Sequence, residues 1–178
     1  RFGSAGKGVF PARDERELAF FTNYIPDPVV QEYLPGPEIT NDVVCDLEGN
    51  VMAVVSRRRI EVRTGEVAKG VTIRDSEITE ACVRIAKGLG AIGPITVQCL
   101  LRDGRPLFTE VNPRFGGGVP LAIAAGVPIP RWLLAIGAGQ RVEVPPLGTY
   151  TTGLHITRFD DSFFLREEEI NKVTRSVS

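Results

Sequence analysis

Runs of apolar residues predict the strands of this chain, and two pairs of these runs predict β-hairpins. The first pair, ITNDVVCD (39–46) and VMAVVSRRRI (51–60), is joined by LEGN, whose Gly49 and Asn50 tolerate positive φ. The second pair, ITVQCLL (95–101) and PLFTEV (106–111), is joined by a short segment that contains Asp103 and Gly104. The pattern therefore predicts an antiparallel sheet.

Two further apolar runs complete the strand pattern. VVQEYL (29–34) predicts a buried strand that ends in a Pro-Gly bend, which would be a suitable hinge between two lobes. PLGTYTTGLHITRF (146–159) predicts one further strand, and RTGEVAKG (63–70) is polar enough to be a lid or an exposed connection.

Helical spacing predicts four helices. The first spans about residues 14–22, and a second, capped by Asp75 or Ser76, places Ile78, Cys82, Ile85 and Leu89 on one face. Two shorter helices are predicted at 120–125 and 130–138, each with proline in the first turn and glycine just past the end. We expect Trp132 of the last helix to lie in the core.

The composition limits the class of protein. The 178 residues suit one domain or two lobes that share a cleft, and 43% hydrophobic with 24% charged residues argues against disorder and against a membrane span. With 21 positive and 22 negative residues, no general attraction to nucleic acid is expected, although Arg57, Arg58, Arg59 and Arg63 are clustered.

The three widely spaced cysteines suggest neither a disulfide framework nor a zinc site, and predict a cytoplasmic protein. The start at Arg1, without an initiator Met, predicts a fragment.

The stretch FTEVNPRFGGG (108–118) carries the strongest chemical signal. Strand alternation puts Phe108, Glu110 and Asn112 on one face, and it adds Arg114 if the extended form persists. A carboxylate and an amide oxygen can hold one hard cation, usually Mg²⁺, while arginine suits the phosphate oxygens that such a cation bridges. The alternative is an ordinary strand end followed by a flexible turn.

The glycine run after this strand extends the same prediction. Gly116, Gly117 and Gly118 lack Cβ atoms, so a ligand could approach the backbone closely. The N–H groups of a helix that starts near Val119 or Pro120 would then point at an anion.

Gln98 is a polar residue inside an apolar strand, so its amide needs a partner. The backbone is one candidate, and a cation bound at Glu110 is the other. The second requires Gln98 to lie opposite Glu110 on the same face, and hence a three-residue loop at 103–105 or an equivalent bulge. A two-residue Asp103-Gly104 turn without a bulge would put Gln98 on the opposite face.

Two further segments have weaker signals. RFGSAGKGVF (1–10) surrounds Lys7 with glycines and could cover phosphates, although it matches neither a Walker A loop nor the dinucleotide order, and a plain surface turn explains it as well. His155, the single histidine, is expected to have a structural role.

Together, RFGSAGKGV, QEYLPGPE, Gln98 and EVNPRFGGG resemble the ATP-grasp superfamily, and within it the carbamoyl phosphate synthase large-subunit type. The resemblance implies an α+β fold, in which an antiparallel sheet forms a large lobe flanked by helices beside an incomplete small lobe. Residues 1–34 would be the C-terminal part of the small lobe, and residues 35–178 the large lobe.

The resemblance also implies roles for individual residues. Those of the glycine-rich phosphate loop fall to Gly3, Ser4, Gly6, Lys7 and Gly8. Adenine and ribose would be held by Glu32, Leu34 and Glu38, with Tyr33 contributing its main chain. The implied metal ligands are Gln98, Glu110 and Asn112, and Arg114 is the implied phosphate-binding arginine. Arg63 stands where the synthase has a histidine that contacts the nucleotide.

The activity implied by the resemblance uses ATP and Mg²⁺, or Mn²⁺. A small carboxylate-type substrate is phosphorylated to an acyl phosphate, which an amine or similar nucleophile then displaces. Neither nucleic acid nor a membrane is implied as a partner, and a homo-oligomer stays open. The alternative is a non-catalytic nucleotide-binding regulatory or assembly module. Without the preceding substrate-binding domain, the fragment alone is expected to bind ATP poorly.

Overall fold

A computed structural model describes residues 8–63, 65–162 and 164–167 of the chain. Its helices and strands, in chain order, are α1 (Glu15–Tyr24), β1 (Glu38–Cys45), β2 (Val51–Arg63), β3 (Glu66–Ile73), α2 (Ser76–Gly88), β4 (Gly93–Arg102), β5 (Arg105–Asn112), α3 (Val119–Ala124), α4 (Ile129–Gly137) and β6 (His155–Thr157).

The six strands form one sheet in the order β5-β4-β1-β2-β3-β6, and every neighbouring pair is antiparallel. Both predicted hairpins are confirmed, as β1–β2 and β4–β5. β1 lies near the middle of the sheet and is buried along nearly its whole length. Its two faces differ: Ile39, Val43 and Cys45 belong to the apolar core, whereas the opposite face carries Thr40 and Asp42 as buried polar residues.

Helices cover the two faces of the sheet in different ways. On one face, α2 packs Ile78, Cys82 and Ala86 against a core that includes Ile39 and Val97. On the other face, a second core joins one end of the sheet to α3, α4 and the segment around Tyr150. We call this second face the site face, because its remaining part carries the polar side chains described below.

The predicted helices are found close to their predicted positions. Asp75 is the N-cap of α2, and its Oδ1 accepts a hydrogen bond from the Ile78 N–H at 3.0 Å. Trp132 of α4 is buried in the second core, as expected. Leu89, in contrast, is 62% exposed, because α2 ends at Gly88 and Leu89 is its C-cap.

The β4–β5 connection corrects one part of the prediction and confirms another. The three-residue loop is wrong, because Arg102 pairs with Arg105 across a two-residue turn. Asp103 and Gly104 both have positive φ, 52° and 78°, which matches the twist of a tight hairpin. The equivalent bulge is present, since Thr109 is an extra residue between the pairs Cys99–Phe108 and Gln98–Glu110.

Two strand predictions are wrong. Residues 29–34 form no strand, and Val29 and Val30 are 65% and 60% exposed. A strand needs a hydrogen-bonded neighbour, and none is described beside this segment. Conversely, most of the predicted 63–70 loop belongs to β3, because pairing with β2 buries Val67 and Ala68.

The edge of the sheet is shorter than predicted. Only three residues of the 146–159 run form β6, which pairs with β3 and leaves His155 exposed. In the described part of the chain before Glu38, the regular structure is α1, which buries none of its residues. The division into lobes at residue 34 stays a prediction.

The three cysteines are buried as free thiols. Burial raises the pKa of Cys82 to about 12 and that of Cys99 to about 11, so neither is a thiolate nucleophile at neutral pH. No helix within the described residues is long and apolar enough to cross a membrane.

The β4–β5 turn generates a stability prediction. Gly104→Ala should lower the free energy of unfolding by about 1–2 kcal/mol, because an L-residue is strained at positive φ. No atom lies within 4 Å of the position that the new Cβ would take, so the loss would come from the backbone alone. Urea unfolding of the variant and of the unmodified protein measures this loss of stability.

Gly88→Ala is the matched control. Its added Cβ also meets nothing within 4 Å, but the residue is helical and lacks positive φ. We expect a neutral or stabilising effect of at most about 1 kcal/mol. Equal effects of the two substitutions would contradict the proposed strain at Gly104.

Candidate functional site

Strand register places the predicted site residues in rows across the site face. Glu110, Gln98, Thr40 and Arg57 occupy successive paired positions on β5, β4, β1 and β2. The neighbouring row contains Asn112, Thr96 and Asp42. Because side chains alternate between faces along a strand, both rows point to the same side of the sheet. The prediction that Gln98 and Glu110 share a face is confirmed.

Hydrogen bonds join five side chains of this face, which we call the polar cluster: Glu38, Arg59, Gln98, Glu110 and Asn112. Asn112 Nδ2 donates to Gln98 Oε1 at 3.3 Å and also to Glu110 Oε1. Gln98 Nε2 donates to Glu38 Oε1 at 2.5 Å, and Arg59 donates to the same oxygen at 2.5 Å. Asn112 therefore contacts both of the other predicted metal ligands, and Gln98 finds side-chain partners.

The polar cluster has the donor chemistry of a hard-cation site. Glu38 and Glu110 provide carboxylates, Gln98 and Asn112 provide amide oxygens, and Arg59 balances part of the negative charge. Oxygen ligands of these kinds suit Mg²⁺. Within the described ranges, no three residues of the types His, Cys, Asp and Glu are grouped to hold a metal, so the amide oxygens are essential to this set.

A buried ion pair lies next to the polar cluster on the site face. The Arg57 guanidinium donates to the Asp42 carboxylate, and the two residues are each 3% exposed. Burial raises the pKa of Asp42 above its ordinary value, while the charge and the hydrogen bond of Arg57 oppose this rise. Removing one partner of such a pair typically costs about 3–5 kcal/mol, because the remaining charge stays buried.

The glycine run is packed against this ion pair. A Cβ atom on Gly118 would lie 2.3 Å from Arg57 Nε, and one on Gly116 would lie 2.8 Å from Arg57 Nη2. A Cβ on Gly117 would overlap the carboxylate of Glu66. In this structure, the space that the sequence pattern predicted for a ligand beside these glycines is filled by the protein's own polar side chains.

The segment after β5 does not continue as a strand. β5 ends at Asn112, and the Arg114 N–H turns back to donate to Asn112 O at 2.8 Å. The extended form on which the expected placement of Arg114 depended therefore does not persist. The Arg114 guanidinium donates to Phe115 O at 2.9 Å. The Val119 N–H donates to Gly116 O at 3.0 Å, so this first N–H of α3 already has an acceptor.

The predicted nucleotide residues are spread along the chain. Gly3, Ser4, Gly6 and Lys7 lie outside the described residues, and Gly8 is exposed. Glu32 accepts from Arg102 at the end of β4, with 2.5 Å between Oε1 and Nη1. Tyr33 is 73% exposed and Leu34 is partly buried. The described ion pair of Arg63 is with Glu61, which lies outside the polar cluster.

An open depression of about 420 Å³ lies at the β4–β5 turn, lined by Arg102, Asp103, Arg105 and Leu107. It is separate from the polar cluster. Because Arg102 also contacts Glu32, the depression adjoins the segment predicted to bind adenine.

Sequence reasoning did not assign Arg59, Asp42, Arg57 or Thr96 to the site. Arg59 links the cluster to the β2–β3 turn, since its guanidinium donates to both Glu38 and Gly65 O. Asp42 could have been noticed as a charged residue within an apolar strand. Its partner and its place beside Gln98 depend on register across three strands, which no local pattern supplies.

Comparison with known sequences finds carbamoyl phosphate synthases. The chain is 36% identical over 121 residues to the large chain from Thermoplasma acidophilum, which covers 62% of this chain and 12% of that protein. It is 30% identical over 158 residues to the large chain from Methanosarcina barkeri, which covers 79% of this chain and 15% of that protein. The chain therefore spans less than one sixth of the length of these relatives.

Comparison with solved structures finds the same kind of fold. The biotin carboxylase domain of Hydrogenobacter thermophilus 2-oxoglutarate carboxylase, a dimer in complex with MgADP, ADP and bicarbonate, matches with TM-score 0.67 and 24% identity. That match covers 79% of this chain and 35% of the other. Biotin carboxylase from Campylobacter jejuni matches with TM-score 0.56 and 20% identity, over 70% of this chain and 30% of the other.

These findings confirm the α+β, antiparallel fold and the predicted resemblance. Residues 24–160 match the family model described as "ATP-grasp in the biosynthetic pathway with Ter operon". This match includes β1 to β6 and every residue of the polar cluster. The chain therefore belongs to the ATP-grasp family.

Proposed function

We propose that this chain is the ATP- and Mg²⁺-binding part of a ligase that activates a carboxylate-type substrate as an acyl phosphate for attack by an amine or similar nucleophile. The observation that carries the proposal is the placement of Gln98 opposite Glu110, with the Asn112 amide in contact with both. A module that only recognised adenine would not require these convergent oxygens.

Gln98, Glu110 and Asn112 are the proposed metal ligands. Mg²⁺ held by these residues would supply positive charge that offsets the negative charge of the nucleotide phosphates and of the transferred phosphoryl group. Asn112 Nδ2 already holds the Gln98 and Glu110 oxygens near each other, and the Asn112 amide would turn to present its Oδ1 to the metal. Such preorganisation lowers the cost of binding.

Glu38 is proposed to bind the ribose hydroxyls. Its Oε1 accepts from both Gln98 and Arg59, which fixes the carboxylate beside the proposed metal ligands. The Glu38 carboxylate, paired with Arg59, could accept hydrogen bonds from hydroxyl groups.

The adenine is proposed to lie beside Glu32, Tyr33 and Leu34, near the depression at the β4–β5 turn. Gly3, Ser4, Gly6, Lys7 and Gly8 would cover the phosphates, with Lys7 supplying a positive charge. Arg63 is retained as a weaker nucleotide contact, because its described partner is Glu61.

Arg114 is proposed to stabilise the phosphoryl group during transfer. It follows Asn112 by two residues, and its guanidinium contacts only a backbone carbonyl among its described hydrogen bonds. A planar guanidinium with most of its donors available suits phosphate oxygens. No side-chain nucleophile is needed, which agrees with the buried, protonated thiols of this chain.

The substrate class rests on the relatives. The structural neighbour in complex with MgADP and bicarbonate, and the relatives named carbamoyl phosphate synthase, support a small carboxylate-type substrate. The complete activity would belong to the full-length protein, of which this chain provides the nucleotide and metal residues.

Release of ADP by the full-length protein tests the proposed function. We expect release in the presence of Mg²⁺ and ATP, stimulated by a carboxylate-type substrate such as bicarbonate or an amino acid together with an amine. Binding of ATP without substrate-stimulated ADP release across that screen would identify a binding module and reject the ligase proposal.

Glu110→Ala should raise the Mg²⁺ concentration for half-maximal ADP release by at least tenfold. The proposed site would lose its carboxylate ligand, and one strong polar contact is worth about 1.5–3 kcal/mol. A magnesium titration at saturating ATP measures the change.

Glu48→Ala is the matched control, because Glu48 is an exposed carboxylate in the β1–β2 connection. Its magnesium titration should match that of the unmodified protein. An unchanged titration in the Glu110 variant would remove Glu110 from the metal site.

Arg114→Ala should lower turnover about 10²–10³-fold while changing ATP affinity much less. This pattern follows if the guanidinium acts mainly on charge that develops during phosphoryl transfer. Steady-state kinetics and nucleotide titration separate the two effects. Arg131→Ala, at an exposed arginine of α4, should leave both unchanged; normal turnover in a folded Arg114 variant would reject its role.

A further inference from the structure

The loop from Arg114 to Gly118, here called the glycine loop, rests on three polar side chains of the sheet. Thr96 Oγ1 donates to Arg114 O at 3.0 Å. Gly116 and Gly118 are buried, and any Cβ on either would collide with the Arg57 guanidinium. The loop backbone therefore lies directly on the Asp42–Arg57 ion pair.

Burying this ion pair lowers the stability of the fold, because two of its polar atoms lack a hydrogen-bond partner. Arg57 Nε and Asp42 Oδ1 are buried atoms without a hydrogen-bond partner. Replacing such a pair with apolar residues of similar size is often neutral or stabilising, so stability alone does not account for it. Its contacts with the glycine loop suggest a different role.

We propose that Asp42 and Arg57 are positioning residues that hold the glycine loop, and through it Asn112 and Arg114, in place for metal and phosphate binding. This inference rests on the proposed function of the polar cluster. The guanidinium is a flat, rigid surface that lets the glycine backbone approach closely. The carboxylate fixes that surface, because it accepts a hydrogen bond from the same guanidinium.

The start of the loop is connected to the proposed site. The Arg114 N–H donates to Asn112 O at 2.8 Å. Displacement of the loop would therefore also displace Asn112, a proposed metal ligand. Thr96, which holds Arg114 O, pairs with Asn112 across β4 and β5. Asp42 pairs with Thr96 on the adjoining strand, so Asp42, Thr96 and Asn112 share one row.

Direct ligand contact is the less suitable role for the ion pair. Both side chains are almost completely buried, with 3% and 5% of their surfaces exposed, beneath the loop that they support. A ligand could reach them only after the glycine loop had moved away. The ion pair would act through Asn112 and Arg114.

The test uses the full-length protein and two independent changes. The double variant Asp42→Leu/Arg57→Met removes both charges together and leaves no single buried charge. Gly118→Ala keeps the ion pair but inserts a Cβ 2.3 Å from Arg57 Nε. Gly137→Ala, a helical position where an added Cβ meets nothing within 4 Å, is the control.

Three readouts separate positioning from general stability. We expect amide hydrogen exchange of residues 114–118 to become at least tenfold faster in each variant, while β1 and β4 keep their protection. The Mn²⁺ affinity, measured without substrate, should fall at least fivefold. In ADP release, kcat should fall more than KM for ATP changes, and the control should match the unmodified protein in all readouts.

The outcomes distinguish this inference from the proposed function. The positioning role would be overturned if either variant folds but keeps the hydrogen-exchange rates of residues 114–118 and the Mn²⁺ affinity of the unmodified protein. If the double variant does not fold, the Gly118→Ala result alone decides. If the unmodified protein neither binds MgATP nor releases ADP, the proposed function fails, and the exchange measurement still decides whether the ion pair holds the loop.

Discussion

The antiparallel register of β5, β4, β1 and β2 is the constraint on which the candidate site depends. Side chains from four strands reach the same face in two adjacent rows because each pair is in register. A shift of one residue in the β4–β5 pair would turn Gln98 away from Glu110. The bulge at Thr109 prevents that shift, since it absorbs the extra residue left by the tight Asp103-Gly104 turn.

The two sides of the sheet divide structural and chemical tasks. The face under α2 is an apolar core, which stabilises the sheet by burying residues such as Ile39 and Val97. The site face is apolar only where α3 and α4 cover it, and it is polar elsewhere. The core under α2 therefore supports the same strands that carry the polar side chains of the site face.

Polar groups on the site face depend on one another for their partners. Glu38 accepts hydrogen bonds from both Gln98 and Arg59, and Asn112 donates hydrogen bonds to both Gln98 and Glu110. Such linked groups respond to substitution together rather than independently. The glycine run belongs to the same arrangement, because its missing Cβ atoms make room for Arg57 and Glu66.

The sequence by itself determined the elements with strong local signals. Apolar runs and turn residues identified both hairpins, and caps with helical spacing identified four helices near their observed positions. The motif EVNPRFGGG identified the ATP-grasp family and the residues Glu110 and Asn112. A local prediction succeeded wherever neighbours in sequence are also the partners in space.

Tertiary structure decided the remaining features, because they depend on contacts between distant residues. The run 29–34 has the apolar content of a strand but lies beside no described partner strand, whereas 66–73 became a strand because β2 pairs with it. The sequence left a three-residue loop or a bulge open, and the pairing of β4 with β5 decided for a two-residue turn with a bulge at Thr109. The register across the sheet places Asp42, Arg57 and Arg59 at the site, and no local window of sequence contains that register.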